Sequence, residues 1–217
     1  AKTLFPYTTL FRSIPITVGR DRSIRLIQEV YRGNRTLGVV SQKDGQIEEP
    51  RAEDLNKVGT IAQIIRMLRM PDGSTTAIIQ GKKRFEVMEM VKLEPYFTAR
   101  VKEFEEIRPA KDDKSFHALV SSLKDLASDI IKHSPHIPTE AQFALKNIDS
   151  PSFLVNFISS NMNAEVAEKQ KMLEVADLRE RANLLLAHLT KELQMLQMKN
   201  EIQSKVRTEV DRQQREY

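Results

Sequence analysis

Every glycine in this 217-residue chain lies at or before residue 81, and the 136 residues that follow contain none. Glycine reaches positive φ without steric cost, so tight reversals are concentrated in the first third, while the rear lacks the residue that most readily interrupts a helix. That asymmetry predicts an α+β chain, β-rich in front and α-helical behind.

In the front, Ile14, Ile16 and Val18 alternate with Pro15, Thr17 and Gly19, as in a strand with one buried face. Asp21 then offers a helix N-cap, Ile24, Ile27 and Val30/Tyr31 follow at helical spacing, and Gly33 offers a C-cap, so one helix is embedded among strands. Thr36 to Lys43 and Thr60 to Met70 read as the next strands. Pro71-Asp72-Gly73 then turns the chain, since proline presets φ and glycine takes the left-handed position, and Thr75 to Gln80 returns as the paired strand. Between Arg84 and Leu93 strict alternation puts Phe85, Val87, Val91 and Leu93 on one side and Glu86, Met88 and Met90 on the other. Tyr96 to Glu105 is the last strand, giving about six in a small sheet that must curl to close its core.

Beyond Pro109 the period changes. Phe116, Leu119, Leu123 and Leu126/Ala127 recur at helical steps up to about Lys132, Ser134 to Thr139 interrupts, and Thr139 and Asp149-Ser150-Pro151 mark further helix starts. Residues 152–217 hold neither glycine nor proline, and Asp177-Leu178-Arg179-Glu180 resembles a capping box. A last helix from Leu178 to the end would run about 60 Å at 1.5 Å per residue, against a radius of gyration of roughly 17 Å for a compact body of this length, so it should project. Its apolar seam steps through Leu178, Ala182, Leu185, Leu189, Leu193 and Leu196, then Ile202, Val206 and Val210. So narrow a stripe suits a coiled-coil stalk or a helix awaiting a partner. The expected parts are a β-rich subdomain over 1–108, a helical bundle over 109–176 and the long helix over 177–217.

Composition removes whole classes of function. Without cysteine there are no disulfides, thiolate zinc sites, iron–sulfur clusters or cysteine nucleophiles, and the cytoplasm is the expected compartment. No apolar run approaches the roughly 20 residues that span a bilayer, so no membrane partner is expected, and around Lys2 and Arg12 there is no signal-peptide core. The formal charge of +4 is uneven, with a net +5 over residues 1–110 and −1 over 111–217.

Chemistry-bearing motifs are few. Gly81-Lys82 is followed by Lys83, and Thr76 stands where a phosphate-binding loop needs its first glycine. His133 and His136 flank a proline turn without a third metal ligand; His117 and His188 stand alone on predicted helices. Glu48-Glu49, Glu105-Glu106 and Asp112-Asp113 read as solvated charge at loops and strand ends. No catalytic residue, cofactor site or metal site is expected, and the chain does not read as an enzyme. The candidate binding residues are Met88 and Met90, because flexible, polarisable side chains on a partly exposed strand face suit varied apolar segments, unless another layer covers them. Leu185, Leu189 and Leu196 are the candidate assembly residues on the long helix.

Five segments in order carry a resemblance: Ile14-Pro15-Ile16-Thr17-Val18-Gly19-Arg20, Val58 to Ile64, Pro71-Asp72-Gly73, Gly81 to Phe85, and Pro151 to Phe157 with the stretch from Leu173 to Tyr217. Together they are similar to the amino-terminal domain of the ATP-dependent protease Lon. The resemblance implies a PUA-like β subdomain, a helical bundle and a long helix leading to an ATPase motor and a Ser-Lys protease domain that lie outside this chain, with ATP and magnesium used there. It further implies the substrate-engaging end of a homohexamer, recognising unfolded, damaged or tagged proteins. One departure is Tyr7 to Ser13, which interrupts the family's first strand and reads as foreign sequence. Two alternatives stand beside substrate capture: a nucleic-acid-binding module using Lys82, Lys83 and Arg84, motivated by the basic front half, and a purely structural assembly element built on the Leu178–Val210 seam.

Overall fold

The computed structural model describes residues 13–134, 137 and 140–215. Lys2, Arg12, the departing segment up to residue 12, the Pro135/His136 turn, the Thr139 helix start and the final two residues lie outside them. The chain divides into two compact units: one runs through Glu106 and also takes in Val166–Ala176, and the other holds Ile107–Glu165 and the segment from Asp177 onward. The three expected parts thus become two. Residues 166–176 are held on the β-rich unit by polar anchors, and the long helix packs into the bundle as far as Asn200, whereas residues 201–213 are all exposed.

The β-rich unit is an open antiparallel sheet of β1 (Ile14–Val18), β2 (Thr36–Val39), β3 (Val58–Arg69), β4 (Thr75–Lys92) and β5 (Thr98–Glu103), with α1 (Asp21–Arg32) after β1. The order is β1-β4-β3-β2, and β5 also pairs with β4. β1 takes Thr75 to Ile79 and β5 takes Phe85 to Lys92, while β3 pairs from Thr75 to Glu86, so β1 and β5 follow one another along the same edge of β4. The expected break between residues 80 and 84 is an irregularity: Ile61 opposes Lys83 and Ala62 opposes Gly81, so Lys82 is an extra residue where one continuous strand bends. Five strands therefore replace six. The turn after β3 forms as expected, with Gly73 at φ +84° and the Met70 N–H donating to the Ser74 carbonyl at 2.9 Å.

Helix α1 lays Ile24, Ile27, Val30 and Tyr31 on Val18, Ala62, Ile64, Ala77 and Ile79, forming the core of this unit. Its N-terminus differs from expectation, since Arg20 rather than Asp21 occupies the N-cap, with no side-chain cap bond. Gly33 is the C-cap as expected, its N–H donating to the Val30 carbonyl at 3.0 Å, but at φ −102°; the left-handed position falls to Arg35 at φ 59°. Helix α5 (Val166–Glu174) is anchored at its middle and at its C-terminal end. The Gln170 amide donates to the Val58 carbonyl at 3.0 Å and accepts from Ser41 Oγ at 2.8 Å. The Arg84 guanidinium donates to the carbonyls of Leu173 and Val175, each at 2.8 Å, stacks on Phe104 and faces Glu106. These are the unpaired carbonyls that a helix C-terminus leaves behind.

The helical unit contains α2 (Lys114–His133), α3 (Glu140–Lys146), α4 (Pro151–Asn161) and α6 (Leu178–Arg215). Asp113 and Ser150 cap α2 and α4 by accepting from Phe116 N–H at 2.9 Å and Phe153 N–H at 3.3 Å, and Asp177 accepts from Glu180 N–H at 3.0 Å. Phe116, Leu123, Ala127, Ile130, Leu154, Val155 and Ile158 form its core with Leu178, Ala182, Leu185 and Leu189. Among the described residues no helix is long and apolar enough to cross a membrane.

Candidate functional site

The last pairing of β3 with β4 is Val58 with Glu86, so beyond that point β4 and β5 continue as a two-stranded ribbon. Two bulges interrupt its ladder. Val87 opposes Val101 but Glu89 opposes Arg100, which makes Met88 an extra residue; Met90 opposes Ala99 but Lys92 opposes Thr98, which does the same for Val91. Each bulge flips the alternation, because side chains change face with every residue.

Strict alternation therefore fails here. Val91 and Leu93, expected on the Phe85 side, are 57% and 53% exposed, and Met88 is 58% exposed. Met90 is half-buried in the ladder row of Val87 and Val101, whereas Met88 stands outside the ladder as a bulge residue. The ribbon presents Met88, Val91, Leu93 and the partly exposed Val101, flanked by the cross-strand ion pairs Arg100–Glu89 at 3.2 Å and Lys83–Glu103 at 2.9 Å.

The tip of the ribbon is fastened to α1. Arg22 Nη2 donates to Glu94 Oε1 at 2.6 Å, and Arg22 Cζ lies 6.0 Å from the Phe97 ring centroid. A hydrogen bond donated to Glu29 raises the Tyr96 phenol above its ordinary pKa, since that bond is lost when the phenol gives up its proton. Sequence reasoning missed a second exposed apolar group, Ile65, Leu68 and Met70, at the far end of β3. The adjacent pair Ile64-Ile65 carried the signal: Ile64 opposes Ile79 and Arg66 opposes Ile78, so Ile65 is another bulge residue.

On α6 the expected seam divides in two. Leu185 and Leu189, read as assembly residues, are 0% and 2% exposed against the helices of their own unit, and Leu196 is half-buried. The exposed stripe is instead Met195, Met198, Ile202, Val206 and Val210. At 100° per residue its centre lies about 110° around the helix from the Leu178–Leu189 stripe.

The remaining candidates have structural engagements. Lys83 pairs with Glu103 and Arg84 is turned inward on α5, so Lys82, Lys83 and Arg84 do not form one basic face. Glu106 and Asp113, read as solvated charge, are instead partners of Arg84 and Arg179. His133 Nδ1 lies 2.8 Å from the Asp129 carbonyl; His136 is outside the described residues. Among the described residues no group of three His, Asp or Glu side chains could hold a metal ion.

The family model described as the ATP-dependent protease La (LON) substrate-binding domain matches residues 1–191. The chain belongs to that family. This Lon substrate-binding domain is 54% identical over 204 residues to the Lon protease of Flavobacterium johnsoniae, covering 94% of this chain and 25% of that one. It is 50% identical over 214 residues to the Lon protease of Cytophaga hutchinsonii, covering 99% and 26%. The Lon domain thus spans about a quarter of the length of these curated relatives. Its fold is that of the N-terminal domain of the Mycobacterium avium complex Lon protease, with TM-score 0.65 and 20% identity over 83% of this chain and 91% of that one. A Lon N-terminal domain protein from Xanthomonas campestris gives TM-score 0.56 at 18% identity over 85% and 91%.

Proposed function

We propose that this domain captures unfolded, damaged or tagged protein chains in the cytoplasm for an ATP-driven serine protease housed in the rest of the full-length protein, where ATP and magnesium would act. The observation that carries the proposal is the ribbon surface: past the last β3 pairing, where β4 pairs with β5, Met88, Val91 and, just after β4, Leu93 are each more than half exposed. Clustered exposed apolar side chains on a soluble domain mark a surface that meets another chain, and the flexible methionine suits partners of varied sequence. Met90, half-buried, would support the ribbon more than it touches a substrate.

A second role is favoured by a separate observation. The exposed stripe from Met195 to Val210 on α6 would serve assembly of the full-length protein as a homohexamer, in place of the buried Leu185 and Leu189. The nucleic-acid alternative gains little from Lys83 and Arg84, both engaged within the domain.

The test is titration of the chain into a fluorescently labelled, permanently unfolded protein and into its folded form, at low and raised salt. Capture by burial of apolar surface predicts binding selective for the unfolded form, retained at high salt and weakened about tenfold or more by Met88→Ser with Leu93→Ser. Binding erased by salt would point to polyanion contact, and no binding would leave assembly as the role of the domain.

A further inference from the structure

We propose that Met88 is a site of reversible oxidation, at which a hydroperoxide converts the thioether to a sulfoxide and weakens capture by the β4–β5 ribbon. This rests on the capture role given to the ribbon above. The chain has no cysteine, so its oxidisable sulfur is all thioether. Susceptibility of such sulfur follows its exposure. Met162 and Met172 are buried in the cores of their units, whereas Met88, with Met195 and Met198, is more than half exposed, and Met70 somewhat less.

Two features single out Met88. It is the extra residue of a bulge, opposed by no residue of β5, and bulges re-aim a side chain that the pleat would otherwise point into the sheet. It also lies in the same stretch of chain as Val91 and Leu93, likewise more than half exposed, so its oxidation makes polar one of the three apolar side chains given the capture role. The sulfur lone pair attacks one peroxide oxygen; an S–O bond forms as the O–O bond breaks, and the departing oxygen leaves as water or alcohol. Sulfur loses two electrons and the peroxide gains them. A thiol-dependent sulfoxide reductase reverses the change, regenerating the thioether with release of water. The sulfoxide replaces a side chain that gains by leaving water with a strong acceptor that must be desolvated, an effect expected to weaken binding about tenfold.

The chain would be treated with hydrogen peroxide, mapped by peptide mass spectrometry and titrated into the labelled unfolded protein, alongside Met88→Leu. The expected map shows sulfoxide at Met88, Met70, Met195 and Met198 before Met162 and Met172. Peroxide should lower the affinity of the unsubstituted chain about tenfold, sulfoxide reductase should restore it, and the before-to-after ratio for Met88→Leu should stay within about twofold whatever its starting affinity. The proposal is overturned if Met88 stays reduced while Met162 and Met172 oxidise, if affinity survives full oxidation of Met88, or if Met88→Leu loses as much as the unsubstituted chain. Failure of the untreated chain to bind would overturn the capture role and its control together, whereas binding that survives oxidation overturns only the control.

Discussion

The ring of Phe85 lies over Gly59, its directly opposed partner on the neighbouring strand: a Cβ built at position 59 would stand 2.9 Å from Phe85 Cζ and 2.4 Å from the Val39 carbonyl oxygen. The same ring covers Gly38 on β2, where a Cβ would meet Phe85 Cζ at 3.0 Å. Two glycines on adjacent strands make the slot that buries this aromatic side chain. Gly59→Ala forces a backbone carbonyl to move and should destabilise by about 1–3 kcal/mol. Gly38→Ala meets only a ring edge, so Phe85→Leu should relieve much of its cost and little of that of Gly59→Ala. Denaturant midpoints of the three single and two double variants test this.

Gln170 holds α5 against the sheet through a nearly buried amide shared with Val58, Ser41 and Glu174. Gln170→Leu leaves the Val58 carbonyl without that donor, at a cost of about 1–3 kcal/mol. Amide hydrogen exchange in residues 166–176 should accelerate at least tenfold while that of α2 is unchanged. Arg84→Met should act in the same direction from the C-terminal end of α5.

The Asp113 carboxylate is held below the ordinary aspartate range, first by the Phe116 N–H it accepts and then by Arg179. A depressed carboxyl contributes stability that is fully present above the unfolded pKa of about 3.9 and is withdrawn as pH falls from there through the lower folded value. Asp113→Asn should therefore lower the melting temperature at pH 7 and flatten its decline below pH 4. An acid limb as steep in the variant as in the original would count against this assignment.

Two aspartate substitutions on α6 should behave oppositely. Leu185→Asp buries a charge in the helical core and should unfold that unit, with loss of helical circular dichroism. Ile202→Asp lies on the exposed stripe and should change stability by less than about 0.5 kcal/mol, while self-association read by sedimentation velocity falls.

Much of the architecture was legible because local rules were enough. The glycine distribution placed strands before helices, Pro71-Asp72-Gly73 turned the chain at the expected φ, and Ser150 and Asp177 ended up as caps at the helix starts expected for them. The errors cluster where the ladder is irregular. Nothing in the alternation of Phe85 to Leu93 reveals that Met88 and Val91 are bulged, since a bulge depends on how a partner strand is registered.

The sequence by itself determined that strands come first and helices after, and that the last helix carries a long apolar pattern, because propensity and periodicity are properties of contiguous residues. The tertiary structure alone decided which apolar residues face water. The ladder register exposes Val91 and Leu93, Gln170 and Arg84 fasten residues 166–176 to the sheet across more than eighty residues of chain, and the bundle takes Leu185 and Leu189 while leaving Ile202 and Val206 exposed. Exposure depends on what covers a side chain, and the covering residues are distant in sequence.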